Sequence, residues 1–425
     1  MQEGSRAGAA REVFGAFLRL GLTSFGGPVA HLGYFRREFV ERRRWIDDRD
    51  YADLVALCQF LPGPASSQVG FALGLRRAGW AGALAAWLGF TLPSALLLAL
   101  FAFGYVRVGA GHALFDAVVH SLKIVAVAVV AQAVWSMARS LLGDWPRRWL
   151  ALLAAAVALA WPGAPAPLLA LAACALVGWR ALDAAPAAAR GVGEDRLGHR
   201  IGCVGMATFI ALLLGLPIAA SLIDQPWLRI VDAFYRAGAL VFGGGHVALP
   251  LLQAGVVEPG WVPEASFLAG YGAAQAVPGP LFTFAAYLGA AIGGAGAGAT
   301  QVGAASVATS VASAGSVSAA WLGAGACLVA VFLPGMLVLV AALPFWQSLR
   351  ERAALRSAVA GVNAGVVGVL FAAWLDPVST SALRSAPDVA VAVVLVVLLM
   401  RLRWTPLAVV DTAVAVGAVR ALVAA

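Results

Sequence analysis

Polar residues fall in short islands along this chain, and the stretches between them are apolar enough to predict membrane helices. The continuous stretches run roughly from Ala81 to Val106, Ala113 to Ala138, Leu150 to Trp161, Pro167 to Trp179 and Ile201 to Ile223. Later ones run from Ala319 to Leu343, Ala354 to Trp374, Val389 to Met400 and Pro406 to Val419. The shortest need tilt or local thinning of the bilayer. Four further apolar segments are interrupted, two by glycine pairs at Gly26 and Gly243 and two by Pro-Gly-Pro at Pro62 and Pro278.

The interruptions are duplicated. Phe17, Arg19, Gly21, Phe25, Gly26 and Gly27 return as Phe234, Arg236, Gly238, Phe242, Gly243 and Gly244, and Gln59-Phe60-Leu61-Pro62-Gly63-Pro64 returns as Gln275-Ala276-Val277-Pro278-Gly279-Pro280. The offset stays near 217 residues across both motifs, which marks a repeated unit. In a membrane chain, paired Gly/Pro breaks in corresponding places of two halves point to discontinuous helices around a substrate site.

Arginine placement adds orientation. The stretch Arg36 to Arg44 is densely basic, whereas its counterpart between Leu251 and Trp261 holds no Lys or Arg, so the first is expected inside and the second outside. Arg76 and Arg77 put both flanks of Tyr51 to Leu75 on the inner side. Each arm of that segment is about a dozen residues, roughly 18 Å, which reaches only the bilayer midplane and predicts a re-entrant hairpin. The fold expected is an all-α polytopic membrane protein built from two inverted-topology repeats, with broken or re-entrant helices meeting near the midplane. Residues 1–200 form the first half and a cytoplasmic linker, 201–223 a connecting helix that flips the second copy, and 224–425 the second half. That half carries a Gly/Ala/Ser-rich insertion at 293–320.

Composition agrees with the membrane reading, with 62% hydrophobic and 12% charged residues and a mean hydropathy of +0.88. The net charge of +8 sits in short loops, where it orients a membrane protein, so nucleic acid is not an expected partner. Cys58, Cys174, Cys203 and Cys327 are isolated in apolar stretches and predict neither disulfide nor metal site. No cleavable leader is evident, and the mature chain is expected to begin near Met1. No cofactor and no catalytic constellation is expected. The sequence holds no H-E-x-x-H and no P-loop, and Gly243-Gly244-Gly245 lacks the Lys-Ser/Thr that would make it one.

The breaks suit an anion. A helix starting within the membrane presents unpaired N–H groups and a partial positive charge, which a tetrahedral oxyanion satisfies well. Proline tolerates the first helical turn and glycine lets backbone approach a ligand, although the same residues also serve plain helix packing. The candidate binding residues are therefore Phe25, Gly26, Gly27, Gln59, Pro62, Gly63 and Pro64, with Phe242, Gly243, Gly244, Gly245, His246, Gln275, Pro278, Gly279 and Pro280 in the second copy. Arg19 and Arg236 join them as equivalent cations in apolar arms, where snorkelling to an interface is the plainer alternative. His31, His120 and His246 are candidate proton relays or helix–helix bonding partners. Most carboxylates lie in loops, with Asp411 the clearest inside a predicted span.

Lys123 is the one lysine among 29 basic residues and lies in the apolar run Val118 to Val134. The register carried from Pro93 and Pro334 sets Asn363 opposite it. A buried ammonium needs an acceptor, so Lys123 is expected to bind the substrate or stand in for a coupling cation, with Asn363 its neutral equivalent.

Phe25-Gly26-Gly27-Pro28, the stretch Glu38 to Trp45, Gln59 to Pro64, Phe242 to His246 and Gln275 to Pro280 together resemble the chromate ion transporter family of bacterial inner-membrane carriers, in its long two-domain form. The resemblance covers both halves. It implies chromate efflux or exchange driven by ion gradients, with sulfate or another oxyanion as the alternative substrate; the reading adopted is a carrier exporting chromate by alternating access, with an anion channel as the alternative class. The expected partners are a chromate- or sulfate-like oxyanion and the lipid bilayer, and a homodimer is left open. The sequence departs from the family pattern in the long insertion and in Gly245, which replaces the Pro28 of the first copy.

One consequence is directly measurable. Cysteines introduced between Arg36 and Arg44 should resist an impermeant thiol reagent in intact spheroplasts, while those between Val256 and Trp261 should react. Equal labelling would remove the inverted-repeat expectation.

Overall fold

The computed structural model describes residues 2–25, 27–108, 113–161, 165–182, 198–223, 225–242, 248–295, 317–346, 352–402 and 404–424. Among the described residues all regular structure is helical, as hydrocarbon demands of a chain that must pair its own backbone groups. The helices of the first half are α1 (Gln2–Thr23), α2 (Gly27–Phe35), α3 (Asp48–Phe60), α4 (Ala65–Val108), α5 (Ala113–Leu141), α6 (Trp145–Ala160) and α7 (Pro165–Ala181). Then come α8 (His199–Leu222), α9 (Pro226–Ala239), α10 (Ala248–Val256), α11 (Glu264–Ala276), α12 (Phe284–Ala295), α13 (Val317–Ala342), α14 (Ala353–Ala373), α15 (Ala386–Met400) and α16 (Pro406–Ala424). The continuous stretches read from the sequence match these helices to within about five residues at each end, except that Ala81 to Val106 corresponds only to the later arm of α4, beyond Gly79. Ala65–Gly104, Asp116–Leu141, His199–Leu222, Val317–Phe345 and Ala353–Ala382 are long and apolar enough to cross a membrane. This is a polytopic membrane protein.

Local chemistry sets the first hairpin. Asp47 caps α3, its carboxylate accepting the Asp50 N–H at 2.7 Å. The helix stops at Phe60 because Leu61, preceding Pro62, is held extended at ψ 153°. After the break α4 starts, but it kinks at Ala78 and Gly79, where Gly79 adopts φ +66°. The first arm of α4 therefore ends at Arg76-Arg77, and Arg76 closes an ion pair of 3.0 Å with Asp50 at the start of α3. The segment returns to the end from which it left. Glu12 of α1 pairs with Arg43 at 3.2 Å, beyond α2, and with Arg77 at 2.9 Å, so α1 and α2 form a second hairpin whose open end lies at the same level. In the second half, hydroxyls of Ser266 and Tyr287 meet at 2.7 Å and join α11 to α12.

The breaks of the two halves cross each other. The Gly279 N–H donates to the Ser24 carbonyl at 2.9 Å, and the Gly63 N–H donates to the Val241 carbonyl at 2.7 Å. Ser24 and Val241 are equivalent positions, as are Gly63 and Gly279, so one bond is made twice with the copies exchanged. The packing repeats the exchange. A Cβ on Gly63 would stand 2.8 Å from the Gly335 Cα, and one on Gly279 would stand 2.8 Å from the Ser94 Oγ, while Ser94 and Gly335 directly follow Pro93 and Pro334. One turn earlier, Gly21 lies against the Phe90 carbonyl and Gly238 against that of Val331. Both contacts fall at the turn disturbed by the helix-internal prolines Pro93 and Pro334.

Asp411 lies within α16, as read from the sequence, and is exposed, while among the described residues Asp232 and Asp388 are the buried carboxylates, at 4% and 2% exposure. Asp232 lies mid-way along α9 and Asp388 in the first turn of α15; packing covers both, and an arginine partner makes burial tolerable. The expected insertion gives its first residues to α12 and its last to α13, which touch at Gly293 and Ala319. Residues 296–316 lie outside the described residues. Cys58, Cys174 and Cys327 are buried free thiols and Cys203 an exposed one.

Because a Cβ on Gly238 would overlap the Val331 carbonyl oxygen, Gly238→Ala should cost about 1–3 kcal/mol through backbone displacement. A lowered thermal unfolding midpoint in detergent is expected; an unchanged midpoint would contradict the close crossing.

Candidate substrate site

The exchanged bonds gather helix ends around a cavity of about 60 Å³. Its wall takes Gly27 and Pro28 from the start of α2, Gln275 and Gly279 from the second-half break, and Gln132 from α5. Leu281, opening the turn into α12, and Pro406, opening α16, also line it. Three helical starts from both halves thus face one volume, and each brings the partial positive charge of its N-terminal end. One water demands ~10–15 Å³ of such space, so the cavity admits a small ion.

Its surroundings hold polar atoms without protein partners. The Gln275 Nε2 is buried with no acceptor. Ser24 Oγ and Thr91 Oγ1 are likewise unpartnered. Ser24 supplies the carbonyl to Gly279, and Thr91 supplies the one that receives Ser94 Oγ at 3.1 Å. A buried polar atom left alone costs on the order of 1–3 kcal/mol, so a group of them beside one crossing calls for a ligand or water.

The other crossing is built differently. Gln68, fully buried in the first turn of α4, donates its amide Nε2 to the Pro62 carbonyl at 2.9 Å and the Gly335 carbonyl at 2.8 Å, tying the first-half break to α13. Gln59 is exposed, so the equivalent glutamines Gln59 and Gln275 do not share a role. Gly63 and Pro64 are buried at this crossing, with Pro62 half-buried. His31 of α2 bridges to the Ser66 hydroxyl at 3.4 Å and packs edge-on against Phe90, the helix–helix role considered for it.

The charged candidates stand apart from the cavity. Arg236 pairs with Asp232 at 2.5 Å on its own helix. Arg19 is exposed and lines a separate groove with Tyr34 and Arg37. Lys123 is buried, and the charges that act on it are Arg384, Glu264 and Asp116. Glu264 acts on it from another helix and Asp116 from two turns earlier on α5. The Asn363 Oδ1 is buried and unpartnered. His120 meets Asp388 at 3.1 Å, beside Arg420 at 3.0 Å. Phe25 and Phe242 are partly buried at the break ends, and Pro278 and Pro280 are buried around Gly279. Gly26, Gly243, Gly244, Gly245 and His246 lie outside the described residues.

Residues 11–179 and 228–419 match the family described as chromate transporter. The chain belongs to the chromate transporter family. A chromate transport protein of Pseudomonas aeruginosa is 28% identical over 387 residues, covering 88% of this chain and 82% of that one. One from Cupriavidus metallidurans is 29% identical over 401 residues, covering 92% and 88%. A probable chromate transport protein of Synechococcus elongatus is 28% identical over 357 residues, covering 83% and 81%. No solved structure matches this one.

Sequence reading missed Gln68, Gln132, Ser24 and Thr91. Gln132 carried a signal, being the single amide in α5. Gln68 carried one too, standing four residues beyond Pro64 where the second copy has Phe284.

The doubly bonded amide of Gln68 makes a sharp prediction. Gln68→Leu should destabilise the protein by about 2 kcal/mol, because two carbonyls lose a buried donor. Thermal unfolding in detergent checks it, and a wild-type midpoint would mean that the bonds to Pro62 and Gly335 are not formed.

Proposed function

We propose that the cavity at the crossing of Gly27 and Gly279 holds a transported inorganic oxyanion, and that the protein is a carrier exporting chromate across a bacterial inner membrane. The observation that carries this reading is the meeting of three helix starts from both halves around unpartnered polar atoms. An anion there accepts from backbone N–H groups and from the Gln275 amide without needing a buried cation. The names of the similar proteins supply the substrate, and the family supplies the class.

Alternating access follows as the mechanism from the exchanged bonds. Each break leans on the opposite half, so a rocking of one half against the other would trade Gly279–Ser24 for altered contacts at Gly63–Val241. The basic Arg36 to Arg44 stretch and its counterpart without Lys or Arg support opposite orientations of the two halves, with the first facing the cytoplasm. Lys123 lies six residues before Val129 of the cavity wall, about 9 Å along α5, and acts there as a fixed cation favouring an anion at a distance. An ion gradient drives export in this scheme. Sulfate is the alternative cargo, since it shares the tetrahedral dianionic form.

The test is uptake of labelled chromate and sulfate into inside-out vesicles. Gln275→Glu changes one amide for a negative charge of the same shape. It should abolish uptake at normal protein abundance, and Lys123→Ala should weaken it. Wild-type uptake by abundant Gln275→Glu protein would move the substrate elsewhere. Sulfate carried in preference to chromate would change the cargo, and flux above carrier rates without counter-ion dependence would make the protein a channel.

A further inference from the structure

The two copies treat one arginine differently. Arg236 is neutralised by Asp232, one turn earlier on α9. The position equivalent to Asp232 in the first copy is Gly15. Arg19 consequently has no carboxylate one turn earlier on its own helix, where Glu12 is taken by Arg43 and Arg77, and its side chain makes no ion pair or hydrogen bond among the described residues. It is exposed and lines a groove of about 480 Å³ together with Tyr34, Arg37, Glu38, Glu41 and Arg42.

The acids of that groove are already taken. Glu38 accepts from Arg42 at 2.9 Å and from Arg43 at 2.6 Å, and Glu41 accepts from Arg36 at 2.5 Å. Arg37 engages only the face of Tyr34, 5.7 Å from the ring centre. Among the described residues two cations, Arg19 and Arg37, are left without anions on one wall, beside the arginine-rich stretch. Arg19 lies on the last turn of α1, five residues before the Ser24 whose carbonyl meets Gly279 at the cavity. The groove therefore borders the approach to the binding cavity from the end marked by the Glu12, Arg43 and Arg77 ion pairs.

We propose that this groove is an anion-capture site for the free inorganic oxyanion, in which Arg19 and Arg37 collect the dianion before it enters the cavity, and that the replacement of an aspartate by Gly15 is what leaves Arg19 available. This rests on the oxyanion-carrier reading. It adds a functional asymmetry, because the second copy spends its arginine on Asp232, so capture operates from one face only. Exposed cations at the mouth of a cleft raise the encounter rate of an oppositely charged substrate, an effect that falls with ionic strength.

Gly15 offers a test that leaves every groove residue in place. A Cβ there meets nothing within 4 Å, so Gly15→Asp introduces the missing carboxylate without a clash, and Gly15→Asn is its uncharged control. Chromate uptake is measured in vesicles exposing the arginine-rich end, at low ionic strength and near 0.15 M. Gly15→Asp should raise KM about sevenfold at low ionic strength, the effect of one unit charge on a dianion ~7 Å away in water. It should leave kcat unchanged and lose most of the effect at ~0.15 M salt. Arg19→Gln should reproduce the change, and Gly15→Asn should match the wild type. If Gly15→Asp and Gly15→Asn behave alike while the wild type transports, the capture site is wrong and the carrier reading stands. If the wild type carries neither chromate nor sulfate, the carrier reading falls first and the capture site with it. An effect of Gly15→Asp that requires phosphatidylglycerol and vanishes in phosphatidylcholine vesicles would assign the groove to a lipid headgroup and overturn the proposal.

Discussion

A backbone interrupted inside hydrocarbon must find partners for the groups that the missing helical turns leave behind, because no water is there to take them. This chain interrupts itself repeatedly and meets the demand across the halves. The Gly279 N–H finds the Ser24 carbonyl and the Gly63 N–H finds the Val241 carbonyl. Neither half satisfies its own Pro-Gly-Pro glycine, so each is incomplete without the other. Glycine is required at both places, since the positive φ values of +118° and +105° and the approach of the opposite half exclude a side chain.

Duplication supplied two equivalent crossings, and substitution has made them unequal. At one, Gln68 fastens the break to Gly335 with a doubly used amide; at the other the equivalent residue is Phe284, and the polar atoms beside the cavity stay unbonded. The first behaves as a brace and the second as an opening. The same divergence separates Gln59 from Gln275 and Arg19 from Arg236. On the proposed carrier reading, one braced and one open crossing would concentrate binding at a single place.

Charge inside the bundle is handled by pairing. Asp232 takes Arg236, and Asp388 takes Arg420 and His120. Removing one member of such a pair leaves an uncompensated charge at a cost of several kcal/mol, which ties these residues to folding before any role in transport. Dipoles at helix ends, by contrast, offer positive potential with no counter-charge to bury.

The sequence by itself determined the membrane class, the helical spans, the duplication and the four breaks, because hydrophobic length, the Gly/Pro punctuation and repeat register are local properties of the chain. The hairpin over Tyr51 to Leu75 was legible from arm length and the flanking arginines. Only the tertiary structure decided which break meets which. The exchange of Gly63 and Gly279 between halves, the burial of Asp388 and the brace at Gln68 all depend on contacts between residues far apart in sequence. Repeat equivalence likewise did not give Arg19 the surroundings of Arg236, or Gln59 those of Gln275. A shared register fixes where a side chain starts, but its partner is fixed by neighbours that duplication did not keep alike.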